Sequence, residues 1–482
     1  MDKPLDTPCV TLIYGDGIGP EVLTSAKKII EATGLDIHWI ECEAGEKSYR
    51  KGVSTGVPHD TIESIKNTGL VLKGPLTTPV GYGEKSANVT LRKLFDTYAN
   101  IRPVKEFPGI QTPFSGRNLD MVVVRENVED VYAGIEHMQT PNAAQTLKLM
   151  TRTGCEKILR FAFEYARSEN RKKIHCATKA NIMKKTEGLM KSIFESVASD
   201  YPDITAKHII VDNCAHQLVR YPEQFDVLVT SNMNGDILSD LASGLVGGLG
   251  FAPGANIGQN AAIFEAVHGS APDIAGKNSV NPTAMILTSL MMLRYIKAFE
   301  TANRIEQALL TTLAIDGTCT QDVSHAKRKV STSDFTDAII DNLGRPYPDW
   351  KTRQYKAFQK PQISTPDIIE DRRVKGIDVF IEDLSSCEDI ACTLEHSVQN
   401  TPFFLKTIAS RGVQVYPHPG IVPDTDDLWQ CRFLLKDPSS HATDEQILPL
   451  LHIICQKYAW THVEKLHYIN GADAFSKSQG ED

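Results

Sequence analysis

Residues 225–250, FDVLVTSNMNGDILSDLASGLVGGLG, set a short apolar run directly before a helix that opens on two acids. Residues 225–230 alternate and β-branch enough to predict a buried strand, Asn232-Met-Asn-Gly has turn chemistry, and helical periodicity begins at Asp236. Asp236 and Asp240 stand at i and i+4, so a helix stacks them on one face at a cost of about 0.2–0.5 kcal/mol unless a cation lies between them. A divalent metal would reverse that sign. Acids in the first turns of a helix also answer its macrodipole, so the pair alone does not decide the matter. Its place at a strand-to-helix junction does favour a site, because ligands in α/β sheets bind at the carboxyl ends of strands.

The chain has 482 residues, 41% of them hydrophobic, enough for an ample core and for two to four domains. A net charge of −9 gives no general attraction for nucleic acid or an anionic membrane, so any anionic ligand needs a local cluster of bases. Ten cysteines are scattered without a Cys-x-x-Cys spacing, which argues against a zinc site or a disulfide framework and fits reduced thiols in the cytoplasm. The first apolar run, residues 10–14, is too short for a signal peptide, and residues 285–293 fall inside an amphipathic helix, so no membrane span is expected.

Residues 9–14 read as a strand, Gly15-Asp-Gly-Ile-Gly as a tight turn, and Pro20 as the first position of a helix reaching Gly34. The spacing Gly15-x-Gly-x-Gly is not the G-x-G-x-x-G of a dinucleotide fingerprint, so a phosphate cradle is not expected, and a role in shaping a cleft is left open.

The required bases appear further on. A strand at 70–73 ends in the loop Gly74-Pro-Leu-Thr-Thr-Pro-Val-Gly, after which Ser86 and Asn88 open a helix that carries Arg92. Arg102 precedes Pro103 and is therefore extended, and Arg125 ends a strand at 121–124. A lone arginine is ordinarily a solvated surface charge. Three at the ends of successive elements form a cluster suited to carboxylates, since guanidinium forks make paired charge-assisted hydrogen bonds. Lys179 follows a strand at 173–177, where a lysine becomes a candidate for proton transfer rather than a surface charge. The segment from Ala261 through His268-Gly-Ser-Ala-Pro to Asn281 is rich in small residues that would admit a flat ring, and Asp273 could accept from two ribose hydroxyls; a plain surface loop is the alternative.

After Leu343 the texture changes. Residues 345–376 carry four prolines and many charges, as a linker or arm does. Beyond it, strands are expected at 377–381, 412–416 and 428–436, with a helix at 389–398 capped by Ser385 and Glu388 and a last helix from Asp444 capped by Thr443 and Gln446. This β-α-β-β-α order predicts a small two-layer α+β domain with no assembled site.

Taken together, the motifs of residues 9–343 resemble the β-decarboxylating dehydrogenases, and within them the isocitrate dehydrogenases. Ser86, Asn88, Arg92, Arg102 and Arg125 match the family's substrate residues; Tyr132, in Arg-Glu-Asn-Val-Glu-Asp-Val-Tyr-Ala-Gly, and Lys179, in Lys-Ala-Asn-Ile-Met-Lys, match its catalytic pair. Asp212, Asp236 and Asp240 match its metal carboxylates, with Mg²⁺ or Mn²⁺ expected. Thr78, Asn181, His268, Gly269, Ser270, Ala271, Asp273, Ile274 and Asn281 match its cofactor residues. NADP-using relatives typically carry Lys-Tyr where this chain has Asp273-Ile274. A carboxylate about 4 Å from a 2′-phosphate is repelled by about 4 kcal/mol per unit charge at an effective dielectric of 20, so NAD is expected and NADP is not favoured. The basic run Lys327, Arg328 and Lys329 speaks against that preference, but its position is not legible in the sequence.

The resemblance implies a two-lobed α/β fold, not a Rossmann fold, with a small C-terminal α+β domain as in the longer bacterial enzymes. One lobe would join 1–97 with 247–345. The other would be 98–246, with a clasp at about 130–151 making an obligate homodimer in which Lys179 and Asp212 reach the neighbour's cleft. A linker at 346–375 would lead to a domain at 376–482 that could pair dimers into a tetramer. The implied activity is oxidative decarboxylation of isocitrate. Rivals are 3-isopropylmalate, homoisocitrate and tartrate dehydrogenases, and, from another class, a catalytically silent regulatory subunit. An isopropylmalate enzyme needs an apolar lid, whereas Ser86 and Asn88 offer hydrogen bonds, and a site built on polar pairing rejects an apolar analogue.

Overall fold

The computed structural model describes residues 7–78, 85–350, 361, 371–418, 420 and 423–481. Most of the expected linker at 346–375 lies outside them. Two compact units are present, one of residues 1–133 and 148–364, the other of 134–147 and 365–482.

The first unit is built on one ten-stranded sheet. In chain order its strands are β1 (Cys9–Ile13), β2 (His38–Cys42), β3 (Leu70–Lys73), β4 (Ala99–Lys105), β5 (Asp120–Glu126), β6 (Lys173–Thr178), β7 (Thr205–Ile210), β8 (Val227–Thr230), β9 (Ala255–Ile257) and β10 (Ala262–Glu265). Their order across the sheet is β2-β1-β3-β10-β9-β4-β5-β8-β6-β7. Both ends are parallel, while the pairs β10 with β9, β9 with β4 and β4 with β5 run antiparallel. Two parallel wings thus join through an antiparallel centre, the architecture of a two-lobed α/β protein. Val227–Thr230 is buried at every residue, as an inner strand between two parallel neighbours must be.

The turn expected at 232–235 does not exist, and the helix already begins at Asn232, running Asn232–Leu245. Its first turn is fixed from outside: Asp130 Oδ2 accepts the Met233 amide at 3.0 Å. Gly235 fits the helix for a packing reason, since a Cβ there would lie 2.6 Å from Arg125 Cγ. The glycines of the first turn allow a close backbone approach. At Gly17, with φ +57°, a Cβ would fall 1.9 Å from the Ser270 carbonyl oxygen, and that oxygen accepts the Ile18 amide at 2.9 Å. This packs the turn at 15–19 onto the loop that follows β10.

In the second unit a six-stranded sheet takes the order Val413–Tyr416, Phe403–Ser410, Leu428–Leu435, Arg372–Glu382, Ala459–Ile469, Ala472–Asp473. Helices Cys387–Val398 and Asp444–Cys455 pack on it through Ile390, Leu394, Leu450 and Ile454. The α+β class is as expected, but Phe403–Ser410 and Ala459–Ile469 were not anticipated. Thr443 and Gln446 form the expected capping box. The other helix is capped instead by Ser386, which accepts the Asp389 amide at 3.2 Å. Arg432, 2% exposed, holds the sheet to the C-terminal end with Asp378 at 2.7 and 2.8 Å and Glu481 at 2.7 Å. The same unit contains the hairpin Glu136–Met138 and Ala144–Thr146. Asp427, 6% exposed, anchors its turn by accepting Thr140 Oγ1 and Asn142 Nδ2, each at 2.9 Å.

All ten cysteines are free thiols. Among the described residues no helix is long and apolar enough to cross a membrane.

Candidate active site

The register of β4 against β5 sets Asn100 opposite Arg125 and Arg102 opposite Val123. Directly opposed residues point to the same face, so both arginines project from one side of the sheet as diagonal neighbours. The Asn232–Leu245 helix lies on that side and brings its acids to them. Arg102 Nη1 donates to Asp236 Oδ1 at 3.2 Å, to Asp240 Oδ1 at 3.3 Å and to Ser239 Oγ at 2.6 Å. Arg125 donates through Nε and Nη2 to Asn232 Oδ1, at 3.0 and 2.7 Å, and through Nη1 to Asp236. Tyr132 Oη donates to Asp236 Oδ2 at 2.6 Å, with the Arg125 guanidinium 5.1 Å from the phenol ring centre. The i, i+4 acids therefore share one face, as expected, with a guanidinium between them.

Burial would raise the Asp236 carboxyl, but Arg125 and Arg102 outweigh it and hold its pKa below the ordinary value. Asp240 is raised by burial and by Asp236, against the pull of Arg102. Its side chain is 52% exposed, so this like-charge cost falls on an accessible oxygen donor. Two hard carboxylates on one helix face, one carrying such a cost, fit a divalent cation such as Mg²⁺ or Mn²⁺. Tyr132 is raised by burial and by its bond to Asp236, which keeps the phenol protonated at neutral pH.

Asp212 does not join this pair, and among the described residues no three His, Cys, Asp or Glu side chains gather. It lies at the start of the Val211–Arg220 helix and accepts Lys179 Nζ at 2.6 Å; this side-chain bond to Lys179 lowers its pKa. Lys179 leaves the end of β6, and Asn181 two residues on is exposed. One chain therefore supplies two separate clusters.

The third arginine, Arg92, sits on the Ala87–Leu94 helix, for which Ser86 is the N-cap. Its Nη2 donates to Glu265 Oε1 at 2.9 Å, and Glu265 also pairs with Lys73, which is 1% exposed. Burial alone would raise Glu265, yet Lys73 and then Arg92 hold it far below the usual carboxylate range. Neither Lys73 nor Glu265 was anticipated; Glu265 stands inside the segment from Ala261 to His268, and an acid in an otherwise apolar strand was the available signal. Thr78 Oγ1 donates to Ser86 Oγ at 3.0 Å, which leaves the serine proton able to point outward.

A cavity of about 120 Å³ joins this group to the loop after β10; among its lining residues are Asn88, Arg92, Arg102, Glu265, His268 and Gly269. Asn88 Oδ1, Arg92 Nε and His268 Nε2 are buried there without a hydrogen-bond partner among the described residues. Three unsatisfied polar atoms around one cavity are a cost the fold would not carry for packing alone, and they fit a polar ligand. Burial lowers His268, so its ring is neutral at pH 7. The backbone of the loop continues through Ser270 and Ala271, the latter with φ +38°, into an exposed turn, Pro272–Ile274, that carries Asp273. Asn281 donates to Asp322 Oδ2 at 3.0 Å. A further unexpected group is Asp16, 6% exposed, whose Oδ2 accepts the Thr77 amide at 2.7 Å and so fixes the loop before Thr78.

Residues 9–339 match the family model "Isocitrate/isopropylmalate dehydrogenase" and residues 372–481 match "Bacterial isocitrate dehydrogenase, C-terminal domain". The chain is 56% identical over 476 residues to "Isocitrate dehydrogenase [NADP]" of Thermus thermophilus, covering 98% of this chain and 96% of that one. It is 41% identical over 482 residues to the protein of the same name from Rickettsia bellii, covering 98% and 99%. The crystal structure of the TT0538 protein from Thermus thermophilus superposes with a TM-score of 0.96 at 56% identity, over 98% of this chain and 96% of that one.

These relatives overturn the expectation that NAD is favoured over NADP. The expectation rested on Asp273 and Ile274 and gave too little weight to the basic run Lys327, Arg328 and Lys329, whose position the sequence does not show. The basic run Lys327, Arg328 and Lys329 is exposed; the Arg328 amide donates to the Gly317 carbonyl at 3.0 Å, and just past the run the Thr332 amide donates to the Asn278 carbonyl at 3.0 Å.

Proposed function

The chain belongs to the isocitrate/isopropylmalate dehydrogenase family, and from that premise we propose that it oxidatively decarboxylates isocitrate to 2-oxoglutarate and CO₂ with NADP as the hydride acceptor. The observation that carries this reading is the convergence of Arg102, Arg125 and Tyr132 on Asp236, with Asp240 one turn away. That set can bind carboxylates, hold a divalent cation and deliver a proton within one cleft. Residues 1–97 and 247–345 form one lobe on this reading and 98–246 the other, except that 134–147 belong with the appended domain, whose first strand starts at Arg372 rather than after 376.

Arg92, Arg102 and Arg125 bind the substrate carboxylates, where paired guanidinium bonds give both charge and geometry. Ser86 and Asn88 contact a third carboxylate, which favours isocitrate over an isopropyl-bearing substrate. Asp236 and Asp240, joined by Asp212 of a neighbouring subunit, would hold Mg²⁺ or Mn²⁺; Thr78, Asn181, His268, Gly269, Ser270, Ala271, Asp273, Ile274 and Asn281 would line the dinucleotide site. When bound, the cation supplies Lewis acidity at the C2 oxygen and the nicotinamide accepts the C2 hydride. Lys179 takes the proton from the C2 hydroxyl as hydride leaves C2, giving a β-keto acid. After CO₂ departs from C3, the Tyr132 phenol returns a proton to C3. The substrate carboxylates replace Asp236 as partners of the arginines, which would free the Asp236 carboxylate to hold the cation.

Assay of purified protein with isocitrate, NADP or NAD, and Mg²⁺, Mn²⁺ or chelator tests this. Turnover with isocitrate and NADP is expected. A higher kcat/KM for 3-isopropylmalate, or no turnover by the pure chain, would refute it.

A further inference from the structure

Glu187 lies in the first turn of the Thr186–Ala198 helix and is wholly buried. Its carboxylate binds four groups from three other segments. Oε2 accepts the Lys179 amide at 3.0 Å; Oε1 accepts Ser231 Oγ at 3.0 Å; Asn234 Nδ2 approaches both oxygens at 3.4 and 3.5 Å; and Lys148 Nζ lies 2.8 Å from Oε1. Lys148 in turn pairs with Asp130 Oδ1 at 2.5 Å, and Asp130 also accepts the amides of Val131 at 2.7 Å and Met233 at 3.0 Å. Asp130 is 1% exposed and has φ +68°, a left-handed conformation that these contacts hold in place. Burial opposes the charge on Lys148, but the two carboxylates prevail and its pKa is raised, so the ion-paired chain persists across neutral pH.

The chain Asp130–Lys148–Glu187 therefore grips three things at once: the turn that presents Tyr132, the first turn of the helix bearing Asp236 and Asp240, and the backbone of Lys179. None of its members faces the cleft cavity. Buried charges that touch no ligand are costly to keep unless their geometry is used.

We propose that Glu187 and Lys148 are positioning residues that lock Lys179 to the Asp236 helix, and that, on the reading that Lys179 serves the neighbouring subunit's cleft, they couple the two clefts of a dimer. A shift of the helix in one cleft then moves the lysine of the other.

Glu187→Gln keeps the shape and removes the charge. Its kcat should fall about tenfold, the worth of one charge-assisted hydrogen bond, with KM for isocitrate changed less than about twofold. An unchanged kcat would overturn the positioning role. Coupling is read from mixed dimers of one natural and one Glu187→Gln subunit, separated by different affinity tags. Such a dimer has one cleft with a displaced helix and the other with a displaced lysine, so its activity should approach that of the doubly substituted dimer. Half the natural activity would overturn coupling. A second mixed dimer, Lys179→Met with Tyr132→Phe, tests the shared cleft separately: it keeps about half its activity if Lys179 acts across the interface, because both lesions then fall in one cleft. Loss of all activity there would refute the shared cleft and the coupling with it, leaving the fall in kcat at constant KM to identify Glu187 as positioning Lys179 for its own cleft. Should Glu187→Gln fail to fold, Ser231→Ala and Asn234→Ala each remove one bond to the carboxylate while keeping the ion pair, and the same mixing applies.

Discussion

Tyr132 Oη donates to Asp236 Oδ2 at 2.6 Å while Arg102 and Arg125 occupy the other oxygen of that carboxylate. One acid thus connects the proposed proton donor, the proposed carboxylate binders and the proposed cation site. Its partners must exchange when substrate and cation arrive, so the separate functions of this cleft are open to separation by substitution.

Tyr132→Phe removes the proton donor and its bond to Asp236 but leaves the arginines. Decarboxylation should suffer about 10²-fold or more, the usual worth of a positioned general acid, while reduction of oxalosuccinate is largely spared. Equal loss of both partial reactions, measured by stopped-flow absorbance of the reduced cofactor, would assign Tyr132 a merely positional role.

Asp240→Asn removes one carboxylate from the pair and also relieves its repulsion with Asp236. The substituted protein should therefore fold at least as stably as the natural one, yet require far more Mn²⁺ for turnover. Natural activity that survives an excess of chelator would sink the cation assignment.

Arg328→Gln, alone or with Lys327→Gln and Lys329→Gln, removes charge from an exposed run that we propose meets the cofactor's 2′-phosphate. Each lost contact to a 2′-phosphate should lower kcat/KM for NADP about tenfold while that for NAD changes little. Parallel losses with both cofactors would place the run outside the phosphate site.

Glu126 is 5% exposed and accepts the Val128 and Glu129 amides at 2.7 and 3.1 Å. Burial is the larger influence and pushes its pKa up to about 7. An unfolded glutamate titrates near about 4.3, so between about pH 4.3 and 7 the folded protein binds more protons and stability falls as pH rises, by up to about 1.4 kcal/mol per unit. Glu126→Gln should flatten this slope in urea midpoints taken from pH 5 to 8. Glu265 runs the other way: its lowered pKa contributes stability above the unfolded value and loses it as pH falls below, outside that window. An identical slope in the substituted protein would exclude Glu126 as its source.

Asp427→Ala takes away both anchors of the hairpin turn, Thr140 and Asn142. If this hairpin pairs subunits, as the family resemblance implies, the variant should dissociate at higher protein concentration in light scattering while each chain stays folded by circular dichroism. Dissociation unchanged from the natural protein would detach the C-terminal domain from assembly.

Arg102, Arg125, Asp236 and Asp240, which the structure brings together, stood out in the sequence as arginines on successive elements and as an i, i+4 acid pair after a buried strand. The sequence misled at Asn232–Gly235, since Asn and Gly are turn formers in local terms, whereas Asp130 and Arg125 impose the helix from a distance. Glu265 and Glu187 were missed for a related reason. Each is a buried acid made tolerable by a cation far along the chain, as when Glu265 meets Arg92 across 173 positions, and no local pattern encodes such a partner. Ala459–Ile469 escaped because its residues are nearly all part-exposed, so the alternation that reveals a half-buried strand is weak. The capping serine was displaced by one residue because Ser385 and Ser386 are adjacent and both have an acid three residues on.

The bond between Asn142 and Asp427 spans 285 positions. A ribosome adding about 5–20 residues per second takes roughly 15–60 s to make that stretch. Throughout that interval the carboxylate that fixes the hairpin's turn has yet to be synthesised. Were the hairpin to pair subunits, as the family resemblance implies, its turn would become fixed for pairing only once Asp427 had been made.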